Sequence, residues 1–385
     1  MFPRWFLLPT KSCLLLGSRR AGKTTLLLDS LKSATYLTLD DYDLLELADK
    51  DPKAFVNKLG PLTVIDEVQR APNILIGIKK FLDEKKGTVY LTGSSALSLQ
   101  ARGAETLAGR ISVKELPTVC WNENLGPPRP LFEKPLDELE AKVIMRGFSS
   151  WNIYGGYPEV VSCKSDKDRE LLLKDYKNSF FLRDLATLNE LENERGLMAL
   201  MIYLAQSTSS RVEISKASQE IGLSHPTVKK YMRALELSKI VFSITGYQFG
   251  PAKRMIKAPK YYFKDSGVPT ALGIELSDRQ RFEQFVISEI EKRRALGAFD
   301  CDQLFYYEST GGREIDLIIE QPNSLLAIEI KSTKSISRSD LKTFSNFELK
   351  GGKKPVRKMI VYRGVEYLVS GGVECWPVAN LAGAL

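Results

Sequence analysis

Gly17-Ser18-Arg19-Arg20-Ala21-Gly22-Lys23-Thr24-Thr25 sets two glycines, a lysine and a hydroxyl at the spacing G-x-x-x-x-G-K-[ST]. That is the pattern of a phosphate-binding loop. Successive backbone N–H groups can curl around an anion only where the chain turns tightly, and Gly17 and Gly22 allow this. The Lys23 ammonium reaches β- and γ-phosphates, and the Thr24 hydroxyl is a hard oxygen ligand for Mg²⁺. A second group follows 43 residues after the lysine, where the apolar run Leu62-Thr63-Val64-Ile65 ends in Asp66-Glu67. Asp66 is suited to hold the metal, directly or through water. Glu67 is suited to polarise the water that attacks a γ-phosphate. Thr92 and Ser94 close the next apolar run, where a hydroxyl senses the γ-phosphate or positions the water. Arg110 precedes the segment Ile111–Leu116 and is a candidate arginine finger, in the same chain or toward a neighbouring subunit.

These residues need a parallel sheet behind them, because ligand groups collect at the carboxyl ends of parallel strands. The sequence supplies one. Leu14-Leu15-Leu16 leads into the loop and a helix leads out. Ala34–Asp41, Leu62–Glu67 and Thr88–Ser95 read as further strands, with a helical stretch from about Tyr42 to Leu59. Asn124-Leu125-Gly126-Pro127-Pro128-Arg129-Pro130 is the strongest punctuation in the chain and marks the expected edge of this unit.

Beyond it, helical segments flank the turn Tyr154-Gly155-Gly156-Tyr157-Pro158-Glu159 and read as a lid over the nucleotide, with Arg183-Asp184 placed to reach phosphates. Ile214–Ser224 is a helix, a glycine stop and a serine cap. A second helix opens at Pro226, and Ile240–Ile244 is a strand. This is a helix-turn-helix with a wing. His225 reads as a cap residue. Thr227, Lys229, Lys230 and Arg233 are the polar reach of the second helix toward DNA, the basic ones toward phosphates. Such helices also dock protein partners. In the last third, Asp316 and the pair Glu329/Lys331 form D-x₁₂-E-x-K on two apolar strands. Alternation puts Glu329 and Lys331 on one strand face. Two carboxylates there can hold Mg²⁺ while a lysine orients water on a phosphodiester.

Composition narrows the class. The chain has 385 residues, 55 Lys+Arg against 47 Asp+Glu, a formal charge of +8, and 43% hydrophobic content. This is a globular protein long enough for several cores, with a mild basic excess. Five scattered cysteines and one histidine argue against a disulfide framework and histidine-rich metal sites, and fit a cytoplasmic protein. No stretch approaches the ~20 apolar residues of a membrane span. The apolar start Met1–Pro9 has no signal-peptide pattern.

Gly17–Thr25, Ile65-Asp66-Glu67-Val68-Gln69, Leu91-Thr92-Gly93-Ser94-Ser95 and Leu107-Ala108-Gly109-Arg110 together resemble the AAA-type P-loop ATPase domain of prokaryotic proteins with a DUF4143-like carboxy-terminal region. The resemblance implies ATP with Mg²⁺ as the nucleotide, and an extra strand between the loop strand and the Asp66 strand. Where family members often carry asparagine, this chain reads Ala104-Glu105-Thr106. The last third resembles the PD-(D/E)XK nuclease fold, which adds Glu283 on the preceding helix as a further acid. Domains of that fold include many that bind without cutting. The expected architecture is α/β throughout. An AAA-type parallel sheet spans 1–125, a helical lid and linker 126–200, a winged helix-turn-helix 201–258, and a PD-(D/E)XK-like α/β domain 259–385. The expected activity is Mg-dependent ATP hydrolysis coupled to nucleic-acid binding or processing. The alternative is an ATP-dependent switch or scaffold docking a protein partner through the winged helix, with the nuclease-like part inactive; a homo-oligomer is a separate expectation.

Overall fold

The computed structural model describes residues 3–94, 107–178, 193–248, 257–309, 312, 314–344, 347 and 354–384. Ser95, Ala104–Thr106, Arg183 and Asp184 lie outside the described residues. Strands β1 (Cys13–Leu16), β2 (Thr35–Thr38), β3 (Leu62–Asp66), β4 (Thr88–Gly93) and β5 (Ser112–Glu115) form one sheet in the order β2-β3-β4-β1-β5. Every pairing in it is parallel. A parallel sheet is covered on both faces, which is why β1 reads as an unbroken apolar run. Leu14 and Leu16 enter the core on one face with Ile65 and Leu91, while Cys13 and Leu15 enter the other with Val64 and Tyr90. Strand β4 lies between β1 and β3, as the resemblance implies. Leu16 pairs with Gly93, so the segments after β1, β3 and β4 emerge side by side.

A second sheet has eight strands: β6 (Val241–Gly246), β7 (Lys260–Phe263), β8 (Leu304–Glu308), β9 (Glu314–Glu320), β10 (Leu325–Lys331), β11 (Val356–Tyr362), β12 (Leu368–Ser370) and β13 (Val373–Pro377). Their order is β12-β13-β11-β10-β9-β8-β6-β7, with parallel and antiparallel pairs mixed. The stretches 201–258 and 259–385 therefore share a sheet. Thr245 and Gly246 pair with Phe305 and Tyr306, and β6 pairs with β7 across the 258/259 boundary. The helix Asp278–Ala295 starts with a capping box between Ser277 and Gln280 and buries Phe282, Phe285, Val286 and Ile290 against this sheet.

The helices Glu194–Gln206, Ile214–Ile221 and His225–Leu237 form a further cluster, the last two joined at Gly222–Ser224. The Ser224 side chain accepts from the Thr227 N–H at the start of the last helix, and Pro226 occupies its first turn. Among the described residues, no helix is long and apolar enough to cross a membrane.

The Pro-rich segment is packed rather than a free linker. Trp121, fully buried, enters the core of the second sheet, its ring 5.4 Å from Phe285. Gly383 N–H donates to the Trp121 carbonyl at 2.9 Å and Ala384 N–H to that of Pro127 at 3.0 Å. The two sheets also meet through Glu115, at the end of β5, which pairs with Lys239 and Lys264, each at 2.8 Å. Lys264 in turn reaches Glu291 at 2.6 Å.

Burial alone would raise the Glu115 carboxyl, but the two lysines outweigh it and hold it at about 2, against an ordinary 4.5. A carboxyl depressed in the folded state contributes stability above its unfolded value and loses it as the pH falls through the folded one. Melting temperature should therefore fall between pH 4.5 and 2. Glu115→Gln should melt lower at neutral pH and show a flatter acid limb in a pH series of thermal scans.

Candidate nucleotide site

The loop after β1 keeps its shape through contacts from far along the chain. A Cβ on Gly17 would lie 2.3 Å from the Leu116 carbonyl oxygen, so no larger residue fits beside β5. Gly22 has φ +92 and precedes the helix Lys23–Ser30 with no side-chain cap. An uncapped helix start, with its positive dipole end, is suited to an anion. Lys23 is 5% exposed, and its Nζ donates to the carbonyls of Gly17 at 2.9 Å and Ser18 at 3.0 Å. Burial lowers its pKa, and the charges of Glu67 and Asp66 oppose that shift. A phosphate entering the loop would give this buried ammonium a charged partner in place of two carbonyls.

Asp66 sits at the carboxyl end of β3. The Thr24 hydroxyl donates to it at 3.0 Å, Tyr36 OH donates at 2.8 Å, and the Thr92 hydroxyl donates from β4. Thr92 Oγ1 also accepts the Glu67 N–H at 3.1 Å. Glu67 has φ 57, in the left-handed region that non-glycine residues seldom adopt. Its carboxylate accepts from Gln69 Nε2 and from the Ser94 hydroxyl at 3.4 Å, and Gln69 also donates to Ser94 at 3.1 Å. One hydrogen-bonded group thus runs Tyr36–Asp66–Thr24 and Thr92–Glu67–Gln69–Ser94. Thr24 Oγ1 and the Asp66 carboxylate are hard oxygens facing each other across 3.0 Å, a donor set that fits Mg²⁺.

Tyr36 and Gln69 received no role from the sequence. Tyr36 is one residue among many in an edge strand, and only the β2–β3 pairing places it beside Asp66. Gln69 had a signal in its position two residues after Glu67. Arg4 was also unread. It donates to the Ala21 carbonyl at 3.0 Å and the Pro117 carbonyl at 2.7 Å, and pairs with Glu123 at 3.0 Å, holding the loop from beneath.

Arg110 is not brought to this site within the chain. It pairs with Asp83, at the end of the helix before β4, and it precedes β5. Both lie at the amino ends of the strands, and the phosphate loop lies at the carboxyl ends. Ser18 to Arg20 instead meet the glycine/proline turn. Ser18 hydrogen-bonds the Tyr157 hydroxyl, and Arg20 pairs with Glu159 at 2.7 Å. A cleft of about 400 Å³ opens beside the loop, lined by Arg4, Gly22, Thr25, Pro158, Glu159, Ser162 and Cys163.

The other candidate residues lie elsewhere. Lys229, Lys230 and Arg233 are exposed on the helix His225–Leu237, while the Thr227 hydroxyl is 2.7 Å from Ser224 Oγ in that helix's cap. Glu283, Asp316 and Glu329 are buried together against the second sheet, with Lys331 Nζ 2.6 Å from Glu329 Oε1. Burial, then the charges of Glu283 and Glu329, push the Asp316 carboxyl well above the usual range.

The parallel sheet, the loop at its carboxyl edge and the Thr24–Asp66 pair define a P-loop nucleotide-binding domain. Residues 9–125 match the AAA domain family, which supports ATP binding of AAA type by this part of the chain. Residues 145–280 and 280–381 match two domains of unknown function, DUF8612 and DUF4143. An uncharacterized protein of Mycobacterium tuberculosis is 27% identical over 368 residues, covering 91% of this chain and 76% of its own length. One of Methanocaldococcus jannaschii is 21% identical over 339 residues, covering 83% and 74%. Two solved structures are similar at 14% identity. A signal transduction ATPase with numerous domains and a tetratricopeptide repeat sensor, from Pyrococcus horikoshii, covers 76% of this chain, which spans 46% of it, at a TM-score of 0.21. The Aeropyrum pernix Orc1 protein in complex with DNA covers 69% of this chain and 87% of its own, at 0.24. Overlays this loose carry no conclusion about the present chain.

Cys163 and Cys301 are both half-buried, but only Cys163 lines the cleft. ATP with Mg²⁺ should slow maleimide labelling of Cys163 severalfold and leave Cys301 unchanged, read by peptide mass spectrometry. Unaltered labelling of both would remove the cleft from the nucleotide site.

Proposed function

We propose that the chain is a Mg-dependent ATPase that couples turnover to nucleic-acid contact through the helix His225–Leu237. The observation that carries this reading is the joined group at the ends of β3 and β4, where Thr24 faces Asp66 at 3.0 Å and Gln69 and Ser94 orient Glu67. The Gly17–Thr25 amides and Lys23 hold the phosphates. Thr24 and Asp66 hold Mg²⁺, which when bound offsets charge on the β- and γ-phosphates. Glu67 takes the proton of the attacking water, with Gln69 and Ser94 fixing its direction. Tyr36 and Thr92 keep Asp66 aimed at Thr24. The cleft along Thr25, Pro158 and Cys163 receives the nucleoside.

Lys229, Lys230 and Arg233 supply the charge for a nucleic-acid backbone. Leu237, at the far end of that helix, packs against the core of the first sheet, and Lys239 just beyond it pairs with Glu115 of β5. The same anchoring supports a second reading, in which the nucleotide state presents this helix to a protein partner.

Lys23→Ala should abolish nucleotide binding. Glu67→Gln should bind ATP like the parent and hydrolyse it about 10² to 10⁴-fold more slowly. A Glu67→Gln chain turning over at the parental rate would sink the assigned mechanism. Double-stranded DNA should bind with an affinity that falls steeply with salt, and the double charge reversal Lys229→Glu/Lys230→Glu should flatten the salt slope. No binding even at low salt would favour the protein-docking reading.

A further inference from the structure

Two short elements from beyond the first sheet grip the phosphate loop. Arg20 Nη1 donates to Glu159 Oε1 at 2.7 Å, and Glu159 Oε2 accepts from the Tyr176 hydroxyl. The Arg20 guanidinium carbon lies 6.0 Å from the centroid of the Tyr176 ring. Tyr157 and Tyr176 meet edge to face, their centroids 5.3 Å apart, and the buried Tyr157 hydrogen-bonds Ser18 of the loop. Glu159 belongs to the helix Pro158–Ser162, and Tyr176 ends the helix Asp166–Tyr176. One carboxylate thus clasps the loop to both helices.

Two cations of the loop are held differently. Lys23 Nζ faces two neutral carbonyls, which a phosphate outbids as a partner for an ammonium. Arg20 faces a carboxylate, and that carboxylate lines the cleft beside Gly22 and Thr25. Arg20 has φ 63, in the left-handed region, the backbone shape that curls neighbouring N–H groups into an anion-binding concavity. A guanidinium fork fits carboxylate and phosphate oxygens alike. A triphosphate offers it several negative charges against the single charge of Glu159. The Arg20 and Glu159 side chains are 44% and 48% exposed, so their pair is weak enough to exchange.

We propose that Glu159 gates the nucleotide site: it competes with the nucleotide's phosphates for Arg20, so that phosphate binding frees Glu159 and unclasps the helices Pro158–Ser162 and Asp166–Tyr176 from the loop. This regulation rests on the nucleotide-site reading above and adds to it a group that opposes binding. The clasp also has a path onward. Tyr157, Leu173 and Tyr176 share one core with Leu200, Val228 and Tyr231, the last two on the helix His225–Leu237. Release of the clasp therefore acts on the core that carries the exposed Lys229, Lys230 and Arg233.

The test is calorimetric binding of adenosine, ADP and a non-hydrolysable ATP analogue to the full chain in Mg²⁺, with hydrogen exchange read over Asp166–Tyr176. Glu159→Gln keeps the side chain's shape and removes its charge, and both side chains are exposed enough that neither substitution strands a buried group. Glu159→Gln should bind the ATP analogue about fivefold tighter than the parent, ADP with a smaller gain, and adenosine equally. Arg20→Met should weaken the analogue, and adding Glu159→Gln to it should recover less than about twofold. The analogue should raise hydrogen exchange in Asp166–Tyr176 of the parent, and Glu159→Gln should show the raised exchange without it. Equal analogue affinity in the parent and Glu159→Gln would overturn the proposal. So would an equal gain for adenosine, a full gain in the Arg20→Met background, or exchange that the analogue leaves unchanged. These outcomes leave the nucleotide site standing. A parent chain that binds no analogue removes that site and this proposal together.

Discussion

Asp265 holds four parts of the chain at one point. Its Oδ2 accepts the Thr118 hydroxyl at 2.5 Å and the Gly156 N–H at 2.9 Å, and its Oδ1 accepts the Gly267 N–H at 2.9 Å. Lys292 Nζ lies 3.4 Å away. These groups come from the exit of β5, the glycine/proline turn, the end of β7 and the helix Asp278–Ala295. A carboxylate that is 1% exposed is tolerable only while its partners are in place. The nucleotide sheet and the second sheet are thus obliged to fold against each other.

The neighbouring charges extend the same constraint. Glu289 accepts from Lys292 at 2.8 Å and from the Trp121 N–H at 2.8 Å, with Arg293 beside it at 3.4 Å. Glu123 accepts from Arg4 and from the Cys120 N–H. Arg4 then reaches the Ala21 carbonyl inside the phosphate loop. A line of buried polar contacts runs from the helix under the second sheet to the loop. The loop's shape is accordingly a property of both sheets, and the Gly17–Leu116 approach is its tightest point.

This connection gives the proposed ATPase a route to the rest of the molecule. Ser18 and Arg20 touch the turn bearing Tyr157 and Glu159, and that turn rests on Asp265. Glu115 joins β5 to Lys239, just past the helix with the exposed Lys229, Lys230 and Arg233. Any change in the loop on nucleotide binding acts on elements already wired by hydrogen bonds and ion pairs.

The sequence by itself determined the phosphate loop, the Asp66-Glu67 strand end and the Thr92–Ser94 turn, because each is a local pattern whose spacing follows from strand, turn and helix geometry. The β1, β3 and β4 strands were legible for the same reason, being continuous apolar runs. It also marked the helix opening at Pro226, since a serine cap and a proline in the first turn are local signals. Tertiary structure alone decided that β6 and β7 belong to the second sheet, because strand pairing has no local signature. It decided that Arg110 faces Asp83 rather than the nucleotide, since reach depends on which end of the sheet a residue occupies. The helix Asp278–Ala295 hid its role because it buries Glu283, Gln284, Glu289, Lys292 and Arg293 along with its apolar residues, so no polar face shows in its periodicity. Lys260 reads in the sequence as one more basic residue on a strand. Only the packing of Glu283, Glu314 and Tyr306 around it gives that buried ammonium its counter-charges.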